Sequence, residues 1–392
     1  MLSVSERMNR VMPSATSAVL GLAAQLKEEG KDVISLGAGE PDFDTPEHIK
    51  DAAIQAIKNG HTKYTAIDGT SNLKAAIQRK FKRDNNLNYS HDEILVSCGA
   101  KQTLFNLCMG VLSAGDEAII PAPYWVSYPD MVRIADGTPI IINTNIESNF
   151  KITPQQLDKS ITERTKLFFL NSPSNPSGSC YTKKELEKLG EILVKHPKII
   201  IASDDIYEKI YWGKSSFQTI ASVSPELKNQ IVTINGVSKC YAMTGWRIGY
   251  AGGPKNIIKA MKTIQSQSTS NPCSISQIAA IAALDGNQDC VKNMNDEYKI
   301  RNDYIVKALN EIPGFECRYG EGSFYAFPRV INAIKAKGLQ NDLELVELIL
   351  KESIVVLVPG TPFGAPGYLR ISFACSIKEL EEAMTRIKTV LK

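Results

Sequence analysis

An α/β protein built on a mostly parallel sheet, with a smaller α+β unit appended, is the fold class this sequence predicts. Three observations predict it. Short apolar runs alternate with helical stretches for most of the chain. The runs are apolar at consecutive positions rather than at every second one, as in strands covered on both faces. From about residue 288 this alternation gives way to a long polar helix and a group of short mixed segments. A length of 392 residues suits two domains that share an interface.

The elements follow in order. "DVISLGAGEPDF" contains a strand too far from the parallel run to be its obvious first member, so it is expected to join the C-terminal unit. "TPEHIKDAAIQAIKNG" predicts a helix with Thr45 as N-cap, Pro46 at the first helical position and Gly60 at the end. "EILVS" (93–97) is a strand, and "AKQTLFNLCMGVLSAG" a helix closed by Gly115. "EAIIP", "PIIIN", "KLFFL", "KIIIAS" and "IVTIN" are further strands, with helical stretches such as 182–195 between them. A helix over about 288–311 leads to "SFYAFP", a helix near 342–351, "IVVLVPG", "YLRISFA" and a closing helix. The expected division is a segment 1–45 joining the small domain, a large domain over 46–287 and a small one over 288–392.

A formal net charge of +3 without basic or acidic blocks argues against nucleic acid as a partner. The apolar runs are strand-length, far below what a bilayer requires. Eight cysteines without a C-x-x-C pair, beside only four histidines, argue against a metal site and suit a reducing compartment. The N-terminus lacks a continuous apolar stretch of signal-peptide type. Cytoplasmic localisation is the expectation.

In a parallel sheet, ligands sit at the carboxyl ends of the strands. Those ends can be read off. Gly99, Ala100 and Lys101 follow "EILVS"; Tyr124 and Trp125 follow "EAIIP"; the loop "NSPSNPSG" with Asn171, Asn175 and Gly178 follows "KLFFL". Asp204 and Tyr207 follow "KIIIAS", and Ser238 and Lys239 follow "IVTIN". A Gly-Ala step opening a helix leaves free N–H groups for an anion. Arg247 adds a planar fork suited to phosphate. Trp125 offers a flat face for a ring, Asp204 a carboxylate, Tyr207 a phenol and Asn175 an amide. Lys239 is an amine that a crowded site can render nucleophilic. A ring, a phosphate, a carbonyl for the lysine and a carboxylate for a ring nitrogen together describe pyridoxal phosphate. Singly, each has a plainer reading: a turn before a helix, a core tryptophan, a Pro-rich loop, an N-capping Asp204, a solvated lysine.

The same residues carry a family resemblance. "GVSKCYAMTGWRIG" resembles the lysine signature of class I pyridoxal-phosphate-dependent aminotransferases, and "NSPSNPSG" and "SDDIYE" are similar to two further hallmarks of that family in order and spacing. "GAGEPDFDTPEHI" resembles its N-terminal motif and "YLRISFA" its C-terminal arginine strand. The prokaryotic aspartate aminotransferase subgroup is resembled most closely, through "PSAT", "GAKQTLFN" and "PYWVSYPDM". The resemblance implies fold type I of the pyridoxal-phosphate-dependent transferases, with a mainly parallel seven-stranded sheet.

It also implies roles. Lys239 would form the Schiff base and move the substrate's Cα proton. Asp204 would hold the ring nitrogen protonated, and Tyr207 and Asn175 would bond the ring's phenolic oxygen. Gly99, Ala100, Lys101 and Arg247 would lie around the phosphate, with Ser238 as a further cofactor contact and Trp125 on the ring. Arg370 would clamp the substrate's α-carboxylate, with Gly39, Trp125 and Asn175 as further substrate contacts. Lys101, helped by the loop around Ser14 and Thr16, would meet a distal carboxylate. Tyr64 in "KYTAIDG" would reach the phosphate of a neighbouring subunit, which implies a homodimer with shared sites. The implied reaction transfers the amino group of L-aspartate to 2-oxoglutarate, with prephenate/glutamate transamination as an additional activity. Members that accept prephenate resemble one another in a lysine before the "PSAT" proline; this chain has Met12 there, which weighs against prephenate. The family pattern Asp-Glu is replaced by Asp204-Asp205.

Rival readings are weaker. "GAGEPD" begins as a dinucleotide fingerprint but ends in Asp42 instead of glycine. A C–S lyase or aromatic aminotransferase of the same fold shares Lys239, Asp204 and Arg370; the lyase needs no distal cation. A non-catalytic regulator would carry a DNA-binding extension, of which the sequence has no sign.

Overall fold

The structure is a computed structural model that describes residues 4–13 and 15–392. Among the described residues, twelve strands run in chain order: β1 (Ile34–Ser35), β2 (Ile94–Ser97), β3 (Glu117–Ala122), β4 (Thr138–Asn143), β5 (Thr165–Asn171), β6 (Ile200–Asp204), β7 (Ile231–Gly236), β8 (Gly249–Gly252), β9 (Tyr325–Ala326), β10 (Val355–Val356), β11 (Val358–Pro359) and β12 (Leu369–Ser372). Seven of them form one sheet in the order β2-β8-β7-β6-β5-β3-β4. Within it, β4, β3, β5, β6 and β7 are parallel neighbours. β8 runs antiparallel to both β7 and β2.

The consecutive apolar positions find their explanation here. On β5, Leu167 and Phe169 belong to the core on one face of the sheet, and Phe168 and Leu170 to the core on the other. All four are essentially without solvent exposure. Side chains alternate across a strand, so a strand covered twice must be apolar throughout; each such burial is worth roughly 1.5–3 kcal/mol. "PIIIN" departs from this pattern. It forms β4, the edge strand, where Ile141 is 36% exposed.

Two local expectations are corrected. The helix at the start of the large unit spans Glu47–Lys58, and its N-terminal flank is Pro46 without a side-chain cap. Thr45 serves elsewhere: its Oγ1 donates to the Ala242 carbonyl (2.6 Å) and accepts from Trp246 Nε1 (3.0 Å). The helix after β2 ends at Val111, before Gly115, which lies in the following turn with φ +95°. The sequence reading also missed β8. Its residues, "GYAG", lack the β-branched side chains that mark a strand. Both ends of the strand are glycine because neighbours come close: a Cβ on Gly249 would collide with the Gly99–Ala100 backbone, and one on Gly252 with the Tyr89 ring.

The C-terminal residues build a second body. β11, β12 and β9 form a three-stranded sheet, flanked by the helices Asp289–Asn310, Asp342–Ser353 and Ile377–Leu391. β1 pairs in parallel with β10, Ile34 opposite Val355, so residues from the start of the chain complete this unit. Its core also takes in Ile206, Tyr207 and Ile210 from the loop after β6. That loop is anchored from beneath by a buried ion pair between Lys80 and Glu208. Asn85 bonds both partners, at 2.8 Å each. Burial of charge is tolerated only when it is paired and hydrogen-bonded in this way. No helix among the described residues is long and apolar enough to cross a membrane.

Candidate active site

The carboxyl ends of β2, β5, β6 and β7 open onto one cleft of about 370 Å³. Gly39, Ala100, Lys101, Trp125, Asn175, Asp204, Tyr207, Ser238, Lys239, Arg247 and Arg370 all line it. These residues are scattered over 330 positions of sequence, yet the parallel topology delivers them to one place, because each lies just past a strand end or in the segments facing it. Gly99 adjoins through Arg247, as shown below. Tyr64 is not brought in; it stands 91% exposed. Ser14 and the side chain of Thr16 lie outside the described residues.

Lys239 lies just past the end of β7, half-buried. Its Nζ donates to the Gly39 carbonyl and sits 5.9 Å from the Phe324 ring centre. Burial disfavours the ammonium, and Arg370 and Arg247 repel it further, so its pKa falls to about 8 despite Glu40 nearby. A lysine in that range holds an appreciable neutral fraction near pH 7 and can accept a proton.

Asp204 is the last residue of β6 and caps no helix, since a turn follows it. Burial raises its pKa to about 6. Oδ2 accepts from the Tyr128 hydroxyl at 2.5 Å. Oδ1 is buried without any partner. An orphaned carboxylate oxygen costs on the order of 1–3 kcal/mol, and this one lines a cleft, where a ligand donor would satisfy it. Asn171 steadies the neighbourhood: its Nδ2 donates to the Asp204 carbonyl (2.8 Å), and its Oδ1 accepts from the Asn175 N–H (2.8 Å).

Arg370, on β12, is 1% exposed. Its Nη2 donates to the Gly37 carbonyl (2.7 Å) and its Nη1 to Asn175 Oδ1 (3.2 Å), while Nε has no partner. The guanidinium lies 4.5 Å from the Tyr325 ring centre and 5.1 Å from that of Phe363. Tyr325 in turn shares a hydrogen bond with Tyr207, hydroxyl to hydroxyl at 3.1 Å.

The opposite end of the cleft is built for an anion. The helix Ala100–Val111 starts here with no acidic residue in its first turn and no side-chain cap. Its N-terminal N–H groups therefore face outward with the positive end of the helix dipole. Arg247 lies across this end, in the left-handed conformation at φ +57°, which a non-glycine residue adopts only where the surroundings enforce it. Its Nη1 donates to the Thr244 carbonyl (2.7 Å) and its Nη2 to that of Cys98 (3.2 Å). Gly99 has φ +87°, and a Cβ on it would strike the Arg247 guanidinium. Gly99→Ala is expected to weaken binding of a phosphate-bearing ligand by roughly tenfold or more, since it strains the backbone and pushes the cation aside. Titration of the purified variant with pyridoxal phosphate checks this; wild-type affinity would disprove it. Lys101 sits with its Nζ 5.0 Å over the Trp125 ring, and burial together with Arg247 lowers its pKa.

Sequence reasoning missed three participants. Tyr128 and Tyr325 read as ordinary core aromatics, and nothing in their spacing shows that their hydroxyls meet Asp204 and Tyr207. Glu40 sits inside a quoted motif, yet only the fold reveals that it accepts from Thr244 Oγ1 (2.8 Å) and faces Lys239.

The arrangement can be set beside known proteins. The profile of the family described as "Aminotransferase class I and II" matches residues 31–387. An aspartate/prephenate aminotransferase of Nitrosomonas europaea is 54% identical, covering all of both chains. A solved aspartate aminotransferase of Rhizobium meliloti superposes with a TM-score of 0.96 at 47% identity, covering 100% of this chain and 99% of that one. The aspartate aminotransferase of Thermus thermophilus, solved with maleate, gives 0.93 at 39% identity over the whole of both chains. A half-buried lysine and a half-orphaned aspartate at neighbouring strand ends, an anion seat, and a match along nearly the full length lead to one conclusion: the chain belongs to the class I and II aminotransferases and has the type I fold of the pyridoxal-phosphate-dependent transferases.

Proposed function

We propose that the protein is an aspartate aminotransferase that uses pyridoxal phosphate, passing the amino group of L-aspartate to 2-oxoglutarate. One observation carries the reading: the half-buried Lys239 and Asp204, whose Oδ1 is unpartnered among the described residues, line the same cleft, with the buried Arg370 beside them. The residues present fit the cofactor. Gly99, Ala100, Ser238 and Arg247 would hold its phosphate, Trp125 its ring face, Asp204 Oδ1 its ring nitrogen, and Tyr207 and Asn175 its phenolic oxygen. When bound, the cofactor supplies an electron sink for the charge left at Cα after deprotonation.

The chain's own groups do the rest. The Arg370 guanidinium binds the α-carboxylate as a fork and so fixes the substrate's orientation. Lys239 Nζ, neutral in part near pH 7, takes the Cα proton and returns it one atom further along, acting as base and then as acid. Ionised Asp204 keeps a proton on the ring nitrogen by charge pairing. Lys101 meets the distal carboxylate. Support for aspartate comes from the relatives at 47–54% identity, whose names carry that substrate.

Prephenate is proposed as an additional amino acceptor, on the strength of the relatives named for it at 50–54% identity. Met12, 73% exposed beside the groove that adjoins the cleft, brings no cation to that position. The homodimer and cytoplasmic setting are proposed with the rest of the reading, Tyr64 being free at the surface to serve a second subunit's phosphate.

A panel of amino donors with 2-oxoglutarate tests this reading. Oxaloacetate from aspartate, with stoichiometric glutamate, is the expected result. Pyruvate and ammonia from cystathionine, without transfer from aspartate, would instead make the protein a lyase. Glutamate with prephenate as acceptor extends the same assay.

A further inference from the structure

Tyr128 was assigned no role by the sequence, yet its surroundings are unusual for a packing residue. It lies in the helix Ser127–Ile134 and is 2% exposed. Its ring stacks on Phe169, with centres 4.7 Å apart and 28° between planes, and meets Trp125 edge-on at 5.5 Å. Three contacts thus fix the side chain: two through the ring and one through the hydroxyl, which donates to Asp204 Oδ2 at 2.5 Å.

We infer that Tyr128 is a positioning residue for the cofactor: it occupies Oδ2 of Asp204 and so turns Oδ1, alone and unpartnered, toward the ring nitrogen. The inference rests on the function proposed above. A carboxylate free to rotate would share its charge between two orientations; one pinned by a short bond at Oδ2 has a single acceptor left to offer. The bond is to the charged form, so it also favours ionisation in a setting where burial opposes it. The other groups facing Asp204 are the Lys239 ammonium from the loop after β7, the Ile206 N–H and the Tyr207 phenol from its own loop. Of these, only Lys239 carries charge, and cofactor binding consumes it.

The sign of the pH effect follows. Asp204 loses its charge as pH falls through a value near 6 in the ligand-free chain. Removing the Tyr128 hydroxyl withdraws the largest influence that lowers this value, so protonation would begin at higher pH.

Tyr128→Phe keeps the ring and removes the donor. Pyridoxal phosphate is titrated into apo-protein by fluorescence quenching between pH 5 and 8.5, for wild type, Tyr128→Phe, Asp204→Ala and the double variant. The expected result at pH 7 is a roughly tenfold rise in dissociation constant, in the range for a lost charge-assisted bond. The acid limb of the binding curve should move up by about one pH unit. In the Asp204→Ala background the second substitution should add nothing, because Tyr128 acts through that carboxylate. An unshifted limb with unchanged affinity overturns the inference, and so does a loss of thermal stability alone, which would make Tyr128 a packing residue. If the wild-type chain fails to take up the cofactor, the proposed function falls and this inference with it; normal wild-type uptake with an unmoved variant sinks the inference only.

Discussion

Lys239→Ala is expected to lower kcat for aspartate and 2-oxoglutarate by at least roughly 10⁴-fold, the upper end of what one positioned acid–base group contributes. No other side chain can substitute. The remaining cations in the cleft, Lys101, Arg247 and Arg370, stand at the anion seats, and an arginine does not deprotonate in proteins. Added small amines should restore part of the rate, since the missing group is a base and the geometry is otherwise intact. The variant has a second signature in the ligand-free chain. Lys239 has its pKa depressed from 10.5 to about 8, so the folded state binds fewer protons than the unfolded one between those values. Burying the ammonium therefore costs stability fully below about pH 8, and the cost fades as pH rises toward 10.5. Melting curves across that window should show any thermal advantage of Lys239→Ala over wild type shrinking with pH. Near-normal turnover, or an advantage that grows with pH, would remove Lys239 from its role.

The second large effect concerns Asp204. Asp204→Ala is expected to cost roughly 10³-fold in kcat, comparable with removal of a preorganised charge from an enclosed site. Tyr128 cannot replace the lost charge: it is a neutral phenol whose pKa burial pushes well above its ordinary value. The substitution should also weaken cofactor retention, which dialysis against cofactor-free buffer measures directly. Binding losses without a matching fall in kcat at saturating cofactor would mean that Asp204 holds the ring but does not keep it protonated.

How far the sequence reaches is visible in single residues. Lys239, Asp204, Asn175 and Tyr207 were legible because each lies at or just beyond the end of a strand whose apolar run is unmistakable, and a parallel sheet sends such positions to one edge. Arg370 was legible only through its motif, since a lone arginine on a strand has no pattern of its own. Thr45 was misread because an N-cap and a tertiary hydrogen bond make the same demand of a residue, a short polar side chain; Trp246 and Ala242 claimed it. β8 escaped because close approach of the Gly99–Ala100 backbone and of the Tyr89 ring requires glycine at its two ends, 249 and 252, which breaks up the strand pattern. Tyr128 escaped because hydrophobic periodicity reports that a ring is buried and is silent about where its hydroxyl points.

The sequence by itself determined the alternation of strands and helices, the edge at which they end, and the strand-end side chains gathered there. Those properties follow from local periodicity and from a topology with a single handed solution. Only the tertiary structure decided which oxygen of Asp204 is taken and which is left, and that Arg370 comes to rest on Gly37 and Asn175. Each of these depends on contacts between segments far apart in the chain, where distances of a few tenths of an ångström separate a hydrogen bond from none, and no local pattern encodes them.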